Sequence, residues 1–182
     1  ILVLVFWSVS SSQVSKPLQV NNLRVECLEN PQGIDELQPR FSWMLFGEGR
    51  NRAQSVYQIL VASAESKLSA NEGDIWDSEK VISNETNQIV YQVSTLESMK
   101  EYFWKVRVWD ENDQVSEWSV PQKWSMGVLN FSDWKGLFLG LEVGHQQGDK
   151  YKELYLPPAR YVRKSFTIEK KIARATAFTT AL

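Results

Sequence analysis

With one cysteine and one histidine in 182 residues, the chain has neither an intrachain disulfide framework nor the ligands for a cysteine-rich zinc site. A histidine-based metal cluster is excluded on the same count. Charge of one sign is also scarce. Twenty Lys+Arg stand against 22 Asp+Glu, a net charge of -2 with a pI of about 5.6. That balance lacks the basic footprint of a nucleic-acid binder or a polybasic membrane protein. Long apolar runs are missing too, since Ile1–Trp7 is too short to span a bilayer as a helix. The chain does have aromatics, with eight Trp and 12% Phe, Trp and Tyr overall. Rigid aromatics at this density suit a β-sandwich core or a carbohydrate-facing surface.

The first 15 residues form a segment of their own. Ile1–Trp7 runs into Ser8-Val9-Ser10-Ser11-Ser12-Gln13, like the apolar core and cleavage region of a secretory signal peptide. The basic leader and the initiator Met are absent, so the sequence is expected to begin inside that peptide. A buried β-strand is the other reading of the run. Cleavage would make the mature protein secreted or periplasmic. Cys27 follows Arg24-Val25-Glu26, not the small residues of a lipoprotein site, and reads as an inert core or strand residue.

Residues 18–128 alternate short strands with turns. Val20–Leu28 reads as a strand, followed by the turn Asn30-Pro31-Gln32-Gly33. Phe41, Trp43 and Leu45 share one face of the next strand; Tyr57, Ile59 and Val61 share a face of another. Ser63 is placed to cap a short helix over 64–70, which Gly73-Asp74 ends. The strongest strand is Tyr102–Trp109: Tyr102, Trp104, Val106 and Val108 point one way, and Phe103, Lys105, Arg107 and Trp109 the other. Val115–Val120 and Lys123–Met126 read as the last two strands. Some seven strands in about a hundred residues predict an all-β, immunoglobulin/fibronectin type III-like antiparallel sandwich. No glycine-rich phosphate loop follows a strand, and no long helical period supports an α/β enzyme. Residues 129–158 read as a connector and variable loop, and 159–182 as the truncated start of a second β-sandwich.

Trp43, Tyr57, Tyr102, Trp104 and Val106 are the expected core. Arg107, Trp109 and Trp118 form a candidate surface stack in which cations sit over rings and stay wet; a sugar-stacking platform is the rival reading. Leu96 precedes Tyr102 at the spacing of a sandwich corner, where a Tyr hydroxyl bonds backbone. Asp74 and Asp77 flank Trp76 as in a sugar subsite, but a capped loop with a buried Trp is the plainer reading. Asp110, Glu111 and Asp113 lie in a turn and read as solvated. His145 sits in a polar loop without ligand partners. No pair of carboxylates is placed for glycosidase chemistry, so no catalytic, cofactor or metal residue is assigned.

Longer strings carry a family resemblance. They include Pro39-Arg40-Phe41-Ser42-Trp43, Tyr57-Gln58-Ile59-Leu60-Val61-Ala62-Ser63 and Asp74-Ile75-Trp76-Asp77-Ser78. Tyr102-Phe103-Trp104-Lys105-Val106-Arg107-Val108-Trp109-Asp110, Ser116-Glu117-Trp118-Ser119 and Ser132-Asp133-Trp134-Lys135 continue them. In order and spacing the chain resembles the N-terminal region of bacterial α-L-rhamnosidases over about residues 20–182. It departs where Phe138 stands near an expected second Trp and where 141–156 matches little. The resemblance implies a non-catalytic fibronectin type III-like module, then a second β-sandwich. A downstream (α/α)6 barrel would hydrolyse terminal α-L-rhamnose from glycosides with inversion. Those two domains and a rhamnose-containing glycan are the implied partners, with no cofactor. A free-standing carbohydrate- or protein-binding module is the alternative.

Overall fold

The computed structural model describes residues 16–93, 96–137, 163–172 and 175–179. The signal-peptide reading of 1–15, the variable loop and His145 lie outside them. The chain divides into one compact unit ending at Trp134 and another from Lys135.

The first unit is an immunoglobulin-like antiparallel sandwich. Its smaller sheet runs β1 (Gln19–Val25), β2 (Arg40–Phe46), β6 (Ile89–Val90). The larger runs β4 (Trp76–Asp77), β3 (Gln54–Ala62), β7 (Glu101–Asp110), β8 (Gln122–Ser125), with β5 (Val81–Ile82) also pairing β3. Helix α1 (Glu65–Ser69) lies between β3 and β4 in sequence.

The apolar alternation of β1 changes phase, with Leu18 and Val20 inward and then Leu23 and Val25. A bulge absorbs the change: the register with β2 shifts between Asn21 and Arg24, and Asn22 is left-handed at φ 52°. One extra residue keeps four apolar side chains on the core. A second bulge, between Gln54 and Val56, lets Ser55 Oγ donate to the carbonyl of Asp110 at 2.6 Å.

Aromatic rings fill the space between the sheets. Phe41 of β2 lies 4.5 Å from Trp104 of β7 and 5.5 Å from Trp124 of β8, centroid to centroid. Trp43 meets Tyr57 edge-on at 5.4 Å. Trp43, Tyr57, Tyr102, Trp104 and Val106 are all buried. The polar atoms among them find partners: Trp43 Nε1 donates to Gln54 Oε1, and Gln54 Nε2 donates to the carbonyls of Ser83 and Glu85. The Glu97 N–H donates to the Tyr102 hydroxyl at 2.9 Å, closing the corner beside Leu96. The exception is Trp104 Nε1, buried with no hydrogen-bond partner among the described residues.

The structure corrects several expectations. The first strand ends at Val25, not Leu28. Glu26 (φ 50°) and Cys27 (φ 64°) form a two-residue turn closed by Val25 and Leu28, so Cys27 is exposed and left-handed rather than core. Ser63 does not cap α1. Its hydroxyl donates to Asp74 instead, and the residue at the cap position is Ala64, whose methyl has no group to bond. Residues 115–120 make no regular strand. Within the span expected to start a second sandwich, residues 163–172 and 175–179 are described; they are largely exposed and show no strand pairing among the described residues.

The connector is tied down past the expected end at 128. The Leu129 N–H donates to Ser98 Oγ at 2.9 Å, and Ser98 Oγ donates to Asp133 Oδ2 at 2.5 Å. Asn130 Nδ2 donates to the same carboxylate oxygen. Gly127 passes so close to Gly33 that a Cβ would stand 3.0 Å from its carbonyl oxygen, which explains a glycine at this crossing.

Candidate functional site: the outer face of β7

Strand β7 turns Tyr102, Trp104, Val106 and Val108 to the core, which aims Phe103, Lys105, Arg107 and Trp109 outward. The outward side is covered. Leu60, Ala62 and Leu68 pack there with half-buried Phe103 and Trp118. Cations and rings alternate along it. Lys80 Nζ lies 4.4 Å from the Trp109 centroid. The Arg107 guanidinium carbon lies 5.0 Å from Trp109 and 4.5 Å from Trp118. Lys105 Nζ lies 4.7 Å from Trp118. The ladder therefore reads Lys80, Trp109, Arg107, Trp118, Lys105.

Hydrogen bonds fix its cations. Arg107 Nε and Nη2 both donate to Gln58 Oε1, at 3.0 and 2.8 Å, and Gln58 Nε2 donates to Asp77 Oδ1. Lys105 Nζ donates to the Leu68 carbonyl and to Asn71 Oδ1, capping the end of α1. Lys105 is 5% exposed, so the picture of wet cations over buried rings does not hold for it. Burial, and then the neighbouring Arg107, push its pKa below the usual lysine value.

Ser116-Glu117-Trp118-Ser119 holds the ladder's outer ring without strand geometry. The Ser116 N–H donates to the Val108 carbonyl, and Ser116 Oγ accepts from the Val108 N–H at 3.0 Å. Ser119 repeats both bonds one step along, its Oγ 3.1 Å from the Val106 nitrogen. Two hydroxyls thus replace two carbonyls in the pairing. The ladder is closed to a sugar: Trp109 is 5% exposed, and cations stand over both Trp109 and Trp118.

The carboxylates divide similarly. Asp74 accepts from the Ser63 N–H and hydroxyl and from Lys67 Nζ at 2.7 Å. Burial raises its pKa, but these donors outweigh burial and hold it below the ordinary range. Asp77 accepts from Gln58 and from the Glu79 N–H, while Trp76 packs on Phe41 and Tyr91. That is a braced loop, not a subsite. Asp110 is not solvated as expected. It is fully buried, with Oδ2 2.6 Å from Arg52 Nη2 and Oδ1 accepting from the Asn112 and Gln114 N–H groups. Burial works to raise its pKa; the two backbone donors and Arg52 more than offset that and lower it. Arg52 Nε also lies 3.0 Å from Glu111 Oε1, out of hydrogen-bond alignment. The sequence signal for this pair was an Asp ending a strand, two and four residues before turn N–H groups it can bond. Among the described residues no group of three or more His, Cys, Asp or Glu is placed to hold a metal.

Comparison with known proteins gives this scaffold its place. Residues 20–130 match the family model "Rha78A-like, N-terminal immunoglobulin domain". The chain belongs to this family. An α-L-rhamnosidase of Formosa agariphila is 36% identical over 97% of this chain, and one of Alteromonas sp. is 35% identical over 96%. This chain spans 19% of the length of each of those relatives. Among solved structures, the Streptomyces avermitilis α-L-rhamnosidase complexed with L-rhamnose matches 65% of this chain at 40% identity with a TM-score of 0.62, over 11% of its own length. The ladder and the Asp110–Arg52 pair are therefore fittings of a Rha78A-like N-terminal domain. No helix among the described residues is long and apolar enough to cross a membrane.

Proposed function

We propose that this chain is the non-catalytic N-terminal region of an α-L-rhamnosidase. The parent would hydrolyse terminal α-L-rhamnose from glycosides or polysaccharides with inversion. One observation carries the reading: nearly the whole chain aligns with rhamnosidases but accounts for a fifth of their length. The side chains agree with it. An inverting glycosidase needs two carboxylates about 6.5–9.5 Å apart across a sugar, one of them kept protonated. The acids singled out here are spent instead on Arg52, Lys67, Ser63, Gln58 and turn N–H groups. The domain's task is then structural, spacing and bracing a downstream sandwich and barrel. Secretion or periplasmic placement belongs to the same proposal, supported by the apolar run Ile1–Trp7 and the serines after it.

Assaying an aryl α-L-rhamnoside tests the reading. The 182-residue chain is expected to be inert and the full product of its gene active. Turnover by the short chain that vanishes in Asp74→Asn or Asp77→Asn would overturn the scaffold role. An inactive full-length protein that binds rhamnose-containing glycans would make it a binding module instead.

A further inference from the structure

The two sheets leave one side of the sandwich open, where β1 ends the smaller sheet and β8 ends the larger. A groove of about 200 Å³ lies there. Val20, Asn21, Asn22 and Leu23 form one bank, Val120 and Gln122 the other, and Glu29 contributes to its lining. The turn after Glu29 is pinned against the second bank, because the Lys123 N–H donates to Asn30 Oδ1 and the Ser125 N–H to the Pro31 carbonyl.

We propose that this groove is a binding site for a single neutral pyranose ring of a glycan. Its lining is mostly polar, since Val20 and Leu23 are buried in the core below and present little surface to it. On opposite banks stand the amides of Asn21 and Gln122, and neither side chain has a hydrogen-bond partner among the described residues. An amide both donates and accepts, as a pair of adjacent sugar hydroxyls requires. Asn22 is engaged, with Oδ1 accepting from Arg24 Nε and Nδ2 near the Met44 sulfur, so it shapes the bank rather than the contact. Among the described residues the one charged side chain lining the groove is Glu29, whose carboxylate accepts hydroxyls and stands 3.7 Å from Arg24 Nη2, so the lining holds no uncompensated cation to draw in a phosphate, sulfate or uronate. Size limits the ligand as well: pockets for drug-sized molecules run to roughly 300–1,000 Å³. A peptide strand is disfavoured on both banks. The bulge at Asn22 interrupts the free edge of β1, and Pro121 removes a donor just before β8. The proposal does not depend on the parent's activity.

The test is an amide-resolved NMR titration of the 182-residue chain with methyl α-L-rhamnopyranoside, methyl β-D-glucopyranoside and glucuronate. At least one neutral glycoside should move the Asn21–Leu23, Glu29 and Val120–Gln122 signals saturably, and glucuronate should not. Asn21→Ala and Gln122→Ala should each weaken binding about tenfold while keeping the thermal midpoint. No saturable shift with either neutral glycoside up to about 50 mM, where millimolar contacts would saturate, overturns the site. So do shifts that both variants leave unchanged, or shifts produced only by an extended peptide.

Discussion

Trp104 and Asp110 show how differently two buried side chains of one strand contribute. Trp104 contributes volume alone: it is fully buried against Phe41, and its N–H bonds nothing described. Trp104→Ala should cost about 3–5 kcal/mol, the range for emptying a large aromatic site. Trp104→Phe should cost much less, because no hydrogen bond goes with the indole. Denaturant midpoints decide it; equal losses for the two variants would mean the N–H has a partner. Asp110 contributes charge. Removing it leaves Arg52 buried, so Asp110→Asn should cost about 3 kcal/mol near neutral pH, the low end for a broken buried pair because Glu111 stays beside Arg52. The sign with pH follows from the lowered pKa. A carboxylate with a folded pKa below its unfolded one stabilises above the ordinary value of 3.8, and that stability is lost as pH falls through the folded value. The stability gap between wild type and Asp110→Asn should therefore narrow once pH falls below that ordinary value and close as pH passes through the lower folded one. A gap that stays constant would mean the proton does not exchange there.

At the scale of elements, the 115–120 segment holds to β7 by serine hydroxyls and by Trp118. Ser119→Ala leaves the buried Val106 N–H unmatched and should cost about 1–3 kcal/mol. Hydrogen exchange at Val106 should quicken with it while Ile59, on β3, stays protected; unchanged exchange at Val106 would show another acceptor. The ladder is tested by a double-mutant cycle of Arg107→Ala and Trp118→Ala, expected to couple by about 0.5–2 kcal/mol. Additive losses would leave the two merely adjacent. The core faces of β2, β3 and β7 were legible in the sequence because Phe41 and Trp43, Tyr57, Ile59 and Val61, and Tyr102, Trp104, Val106 and Val108 recur at every second position. Lys105, Arg107 and Trp109 were legible as outward residues of β7 and Trp118 as a candidate beside them, but not Lys80, nor the burial of Lys105, which depends on α1 folding over it. The ends of β1 and the irregular pairing of 115–120 with β7 were not legible. Tandem left-handed residues at Glu26 and Cys27, and hydroxyls standing in for carbonyls, leave no period to read. The groove was hidden for a related reason: its two banks lie a hundred residues apart in the chain, on strands of different sheets.

For the whole molecule, the question is where the first folding unit stops. Strand pairing alone puts the end near Gly127, just after β8 and the Ile34–Met126 bridge. The hydrogen bonds carry it further. Ser98 accepts from Leu129 and donates to Asp133, and a short 3-10 turn over Phe131–Asp133 hands the chain to Trp134. The Met99 N–H adds a bond to the Gly127 carbonyl, so the 98–100 turn grips the connector at both ends. A segment whose backbone is bonded in this way opens with the unit it is bonded to. Limited proteolysis should accordingly leave a core that retains Trp134, with cleavage at Lys135 or later. Asp133→Ala removes the acceptor shared by Ser98 and Asn130. Its protected core should shorten toward Gly127, while the denaturant midpoint falls by no more than about 1–3 kcal/mol, the cost of unmet polar groups. Wild type trimmed to Gly127 as readily as the variant would show that the connector is no part of the domain. A midpoint loss on the scale of Trp104→Ala would instead make Asp133 part of the core's own support.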